Sequence, residues 1–102
     1  MRDTLPISVP RAEIDEFCRR NRVRRLALFG SVLRSDFRPD SDVDVLVEFE
    51  PGTRIGLIGF ERLQAELSRI LGRKVDLNTA GFLSRSFRDD VLREARTIHA
   101  AA

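Results

Sequence analysis

The sequence predicts an α/β (α+β) domain, a small mixed sheet of about three strands with helices packed mainly on one face. Three observations carry this. Valines alternate with polar residues over 42–49, apolar residues recur at helical spacing over roughly 56–71, and a short apolar run ending at Gly30-Ser31 precedes both. At 102 residues and 42% hydrophobic, the chain supports one core and no second module. The predicted organisation is an extended lead-in over 1–10 and a single domain over 11–102, in the order αβ(α)βαβα.

Pro6 and Pro10 keep the lead-in extended. Pro10 also sits just ahead of a pattern in which Ile14, Phe17 and Cys18 follow i, i+3, i+4 spacing, which predicts a helix over 11–21. Arg22, Arg24 and Arg25 are then expected at its C-terminal end, where cations suit the helix dipole; a partner-binding patch is the other reading. Leu26 to Phe29 predicts a buried strand closed by Gly30. Along 42–49, Val43, Val45, Val47 and Phe49 point to one face, and Asp42, Asp44, Leu46 and Glu48 to the other. The valine face is the predicted core. Pro51 and Gly52 end this strand. Phe60, Leu63, Leu67, Ile70 and Leu71 mark the next helix, with Gly72 as its stop. Lys74 to Asn78 is a third strand with Val75 and Leu77 inward and Asp76 outward, and Phe87, Val91, Ala95 and Ile98 predict a last helix over 84–99. Helices covering the valine side would complete one layered core.

Composition excludes several classes of function. The 18 basic and 16 acidic residues leave a net charge of +2, too little for a global field that would draw the chain to nucleic acid or membrane. All basic residues but Lys74 are arginines, a bias that codon usage explains as well as anion recognition does. Cys18 stands alone, so neither an internal disulfide nor a thiolate metal cluster is possible, and no apolar stretch is long enough to span a bilayer. The cytoplasm is the expected location.

Asp42 and Asp44 are the chemically informative pair. Residues i and i+2 of a strand have Cα atoms about 6.6 to 6.8 Å apart on one face, so both carboxylates can aim at one point. At about 5 Å and an effective dielectric of about 20, their repulsion is on the order of 3 kcal/mol. A solvated strand end would screen that cost; a hard divalent cation such as magnesium would turn it into attraction. Two features favour the cation. Asp76 falls on the same face if the two strands share a core, and Gly30-Ser31 offers an anion an approach without Cβ, with backbone N–H groups and a hydroxyl as donors.

Gly30-Ser31, then Arg34, then Ser41-Asp42-x-Asp44, followed by Lys74-Val75-Asp76-Leu77, resembles the signature of the DNA polymerase beta-like nucleotidyltransferase superfamily. With no room for additional domains, the chain is most similar to the minimal nucleotidyltransferases (MNT), over roughly residues 11–99. The resemblance implies transfer of a nucleoside monophosphate from a triphosphate to a hydroxyl, with release of pyrophosphate. It implies two magnesium ions held by Asp42 and Asp44, with Asp76 joining the second ion and helping to position or deprotonate the acceptor. Gly30 and Ser31 would hold the β and γ phosphates. Two metals about 3.5 to 4 Å apart stabilise both the attacking and the leaving oxygen of an in-line displacement. Arg34 would either steady phosphate charge or brace the loop through Asp36 or Asp40. Relatives commonly carry Ala-Arg-Gly where this chain has Leu33-Arg34-Ser35, a departure that bears on the turn between cradle and carboxylates.

Many minimal nucleotidyltransferases are antitoxins whose partner is a helical HEPN ribonuclease, and the resemblance implies AMP transfer from ATP to a tyrosine of that toxin. This chain has no tyrosine, so a tyrosine acceptor must lie on another protein. The alternatives are an antitoxin that neutralises by binding alone, and nucleotidyl transfer to a small molecule or RNA. His99 is expected as a surface residue or helix-end cation, Phe82 and Phe87 as core, and Leu57 and Ile58 as exposed apolar positions outside the helix stripe.

Overall fold

The computed structural model describes residues 7–34, 37–82 and 85–101; Ser35, Asp36 and the side chains of Phe82 and Phe87 lie outside them. Pro10, with extended backbone, is the N-cap of helix α1 (Arg11–Arg20), which buries Ile14, Phe17 and Cys18. Strands β1 (Val23–Phe29) and β2 (Val43–Phe49) follow, then α2 (Leu57–Leu71), β3 (Val75–Asn78), α3 (Arg85–Glu94) and β4 (Arg96–Ala100). They form a mixed sheet in the order β3-β2-β1-β4. β1 is antiparallel to both β2 and β4, whereas β2 and β3 run parallel.

The valine face is the core, as predicted. Val43, Val45 and Val47 are buried with Leu26, Leu28, Val75 and Leu77 against Phe17 of α1 and Leu63, Leu67 and Leu71 of α2. Each such side chain contributes about 1.5 to 3 kcal/mol on burial. Gly72 closes α2 in the left-handed region at φ 68°, where glycine carries no Cβ penalty. Ile7 and Val9 of the lead-in pack on this same core.

Four corrections follow. The sheet has four strands: α3 ends at Glu94, and residues 96–100 pair with β1 as an edge strand. Val91, Ala95 and Ile98 mimic a helical stripe because Val91 and Ala95 close the second face while Ile98 joins the first core. That second face is the next difference. Leu46 is buried with Ala27, Phe29 and Val91, so α3 covers part of the face opposite the valines and completes a second, smaller cluster. Arg24 and Arg25 belong to β1 rather than to a helix end, since Glu48 on the neighbouring strand pairs with both. Arg22 makes the turn into β1 at φ 58°, and its carbonyl accepts the Glu50 N–H at 2.9 Å. His99, finally, is neither a helix-end cation nor an exposed residue. It lies on β4, mostly covered, with Nδ1 2.8 Å from Asp15 Oδ1 of α1.

Candidate active site

β1 delivers the first part of the site. Its last residue, Phe29, lies opposite Asp44 of β2, so the turn that follows must pass beside that carboxylate. Gly30 makes this possible. It sits at φ 78°, and a Cβ placed there would fall 2.3 Å from Asp44 Oδ2, closer than any real contact. A 3-10 turn over Gly30–Leu33 then exposes Ser31 partly, with the Arg34 N–H bonded to the Ser31 carbonyl at 2.9 Å. Val32 is buried and Leu33 packs on the main core. The enlarged side chain at 33 therefore serves packing.

β2 and β3 deliver the carboxylates. Their parallel register sets Asp44 directly beside Asp76, and Asp42 precedes β2 by one residue on the same side as Asp44. Asp42 and Asp76 are exposed; Asp44, between Phe29 and Asp76, is half-buried. Burial raises the Asp44 pKa above the ordinary carboxylate range, and the charges of Asp76 and then Asp42 push it further, while Arg34 opposes them. The three sequence-predicted carboxylates thus act on one another, with Asp44 at the centre. Among the described residues, no three His, Cys, Asp or Glu side chains are already drawn together as a metal cage. The guanidinium of Arg34, read from sequence either as a phosphate contact or as a brace toward Asp36 or Asp40, has its charge felt at Asp44; Asp36 lies outside the described residues.

The connection from cradle to carboxylates has supports the sequence did not signal. Arg73, between α2 and β3, lies 4.7 Å over the Phe37 ring and donates from Nη2 to the carbonyls of Arg38, at 3.0 Å, and Pro39. Ser41 closes the turn before Asp42. Its hydroxyl accepts the Arg38 N–H at 3.0 Å, and its own N–H returns to the Arg38 carbonyl at 3.0 Å. Beyond Asp42, the Val43 N–H bonds the Lys74 carbonyl at 2.9 Å and starts the β2–β3 pairing. The outer side of β3 is held from α2: Leu77 N–H donates to Gln64 Oε1 at 2.8 Å, and Val75 N–H to Ser68 Oγ at 3.0 Å. An arginine adjoining Lys74, or a glutamine within an amphipathic helix, has no sequence pattern that announces such contacts.

A cavity of about 630 Å³ lies elsewhere, between α1 and β4, lined by Asp15, Cys18, Arg19, Arg22, Glu50 and His99 among others. It shares no residue with the carboxylates. Burial, with Asp15 nearby, pushes the Cys18 thiol up to about 12, which removes it as a nucleophile at neutral pH. No helix among the described residues is long and apolar enough to cross a membrane.

Comparison with known proteins agrees with this geometry. Residues 12–99 match the model of the nucleotidyltransferase domain family. The protein adenylyltransferase MntA of Thermococcus cleftensis is 38% identical over 87 residues, which span 85% of this chain and 86% of that protein. A crystallised toxin–antitoxin with AMP-PNP superposes with a TM-score of 0.71 at 21% identity, covering 91% of this chain and 75% of that one. The complex of tri-AMPylated Shewanella oneidensis HEPN toxin with MNT antitoxin gives a TM-score of 0.64 at 22% identity, covering 89% and 70%. These two likenesses establish the shared fold. The family match over most of the chain, the identity to MntA and the polymerase beta-like core make this chain a member of the nucleotidyltransferase family, of the minimal nucleotidyltransferase type.

Proposed function

We propose that this protein is a magnesium-dependent protein adenylyltransferase that transfers AMP from ATP to a tyrosine hydroxyl of a HEPN-type ribonuclease toxin, and so acts as its antitoxin. The observation that carries the reading is the gathering of Asp42, Asp44 and Asp76 around a half-buried position, with a glycine turn pressed against the central carboxylate. Burial, and then the like charges of Asp76 and Asp42, raise the Asp44 pKa, a cost that a bound cation would offset. The donor set fits magnesium. A hard cation takes oxygen ligands, and magnesium commonly uses one or two carboxylates and completes its shell with water and phosphate, so a preformed three-ligand cage is not required. Bound there, the ions would neutralise charge on the triphosphate and lower the pKa of the attacking hydroxyl.

The chain's own residues do the rest. Gly30 lets the backbone approach the β and γ phosphates, and Ser31 offers its hydroxyl and N–H. Asp42 and Asp44 would hold the metal ions, and Asp76 would join them and orient the acceptor hydroxyl. As the tyrosine oxygen bonds to the α-phosphorus, the bond to pyrophosphate breaks and the hydroxyl proton passes to Asp76 or to water. Arg34, whose charge favours the ionised form of Asp44, would steady the charge between Asp44 and the phosphates. With no tyrosine in the chain, the acceptor comes from the partner. The names of the compared proteins, an adenylyltransferase and antitoxins in complex with toxins, support the same substrate and partner class. Dependence on ATP makes the cytoplasm the working compartment.

The test is incubation of purified protein and its HEPN partner with α-labelled ATP and magnesium. Label and an AMP mass gain should appear on the partner, and Asp42→Asn should reduce transfer by about 100- to 1,000-fold, the scale expected when a group that stabilises the transition state is lost. Neutralisation of the toxin without label transfer would replace this reading with inhibition by contact.

A further inference from the structure

We propose that Gln64 and Ser68 of α2 are positioning residues for Asp76, a role that rests on the reading of Asp76 as a metal ligand. β3 is an edge strand of four residues, paired to β2 on one side only. On its other side the amides of Val75 and Leu77 need partners, because a covered backbone N–H without one is costly. Both are met by side chains of α2 rather than by another strand. Leu77 N–H donates to Gln64 Oε1 at 2.8 Å and Val75 N–H to Ser68 Oγ at 3.0 Å, while the Ser68 hydroxyl donates its proton to the Gln64 carbonyl at 2.8 Å.

The spacing suits the task. Four residues of helix rise about 6 Å and two residues of strand about 6.6 Å, so acceptors at i and i+4 meet amides at j+2 and j, respectively, with little strain. Asp76 lies between the two pinned residues and faces the opposite way, toward Asp44. Val75 and Leu77 are also buried in the core, so the clamp holds the strand from its edge and from beneath. It acts where it is needed: Asp44 and Asp76 repel each other, and an edge strand can yield to that repulsion by drifting outward. Fixing β3 keeps the third carboxylate beside Asp44 before any ion would bind.

The test uses the full-length chain with AMP-PNP and Mn2+ as an EPR-visible probe, beside amide hydrogen exchange at Leu77. Gln64→Leu should speed exchange at Leu77 and weaken one Mn2+ site about 10-fold, the scale for groups that orient a metal ligand. Gln64→Glu keeps an acceptor oxygen and should restore both readouts. In an Asp76→Asn background, Gln64→Leu should weaken Mn2+ binding no further. If Gln64→Leu does not fold, Ser68→Ala against Ser68→Thr puts the same question at Val75. The proposal is overturned if exchange speeds while Mn2+ affinity holds, or if the weakening is as large without Asp76 as with it. Unchanged Mn2+ affinity in Asp76→Asn alone identifies a different failure, that of the metal role of Asp76, and the positioning role falls with it.

Discussion

Asp44 and Glu48 stand four residues apart on one face of β2, and their surroundings are opposite. Glu48 lies across from Arg25, whose Nη1 is 3.0 Å from Oε2; Arg24 Nη2 reaches Oε1 at 3.4 Å, and Arg25 Nε extends the network to Thr97 Oγ1 of β4 at 2.9 Å. Asp44 lies between an aromatic residue and another carboxylate, and among the described residues the charge of Arg34 favours its ionised form against burial and two carboxylates. Leu46, under α3, separates the two environments. A strand that satisfies one carboxylate with two arginines has the means to satisfy the other. The difference fits the role proposed for Asp44, whose counter-ion would be a metal cation from outside the chain.

The comparison breaks most completely at Gly30. Gly30→Ala places a methyl group 2.3 Å from Asp44 Oδ2 and forces alanine to φ 78°, so either the turn or the carboxylate must move. Transfer is expected to fall at least about 100-fold, a loss that a displacement of about 1 Å can cause at a reacting centre, and Tm should drop by several degrees. A variant with normal transfer rates would separate the glycine turn from the site. The next effect is on stability and is opposite in sign. Because Asp44 takes up its proton at higher pH when folded than when unfolded, stability falls as pH rises through that window, and the penalty is complete above the folded value. Asp44→Asn should therefore abolish transfer yet raise Tm in metal-free neutral buffer. The gain, after solvent screening, is on the order of 1 kcal/mol or less, or up to about 5 °C. It should shrink as the buffer is acidified and as magnesium is added to the unsubstituted chain. Differential scanning fluorimetry across pH and metal measures both.

How much of this was legible depended on whether a signal was local. The alternation at 43–49 and the spacing of Leu63, Leu67 and Leu71 follow from one element's own period, and they carried the core and the valine face. The placement of Asp42, Asp44 and Asp76 on one side of the sheet and the turn at Gly30 were legible because strand geometry and glycine's freedom act within a few residues. The fourth strand was not. Arg96–Ala100 gains its conformation by pairing with β1, about seventy residues away, and a helical stripe running through Val91 and Ala95 concealed it. The partners of Arg24, Arg25, Arg73 and His99 escaped for the same reason, since each pairs across the fold. A charged residue's sequence neighbours say little about which distant group it will meet.

The smallest expected effect tests the compensated half. Glu48→Gln keeps the shape and the hydrogen-bond acceptor but removes the charge that faces Arg24 and Arg25. Both Glu48 and Arg25 are roughly a quarter exposed, so the loss should be under about 1 kcal/mol, and transfer should be unchanged because the network lies beyond Leu46 from the carboxylate site. Salt then separates the two halves by sign. At about 0.5 M salt, where the screening length is a few ångströms, the cost of Glu48→Gln should shrink because the pairing it removes is already weakened. The gain from Asp44→Asn should shrink only in part, since salt screens the repulsion of Asp76 and Asp42 but not the burial that is the larger cause. The two differences in Tm should therefore move toward zero from opposite sides as salt is raised, with the Asp44→Asn gain levelling off above it. If both variants shifted Tm in the same direction at low salt, Asp44 would be as well compensated as Glu48, and the case for an external cation at this position would fail.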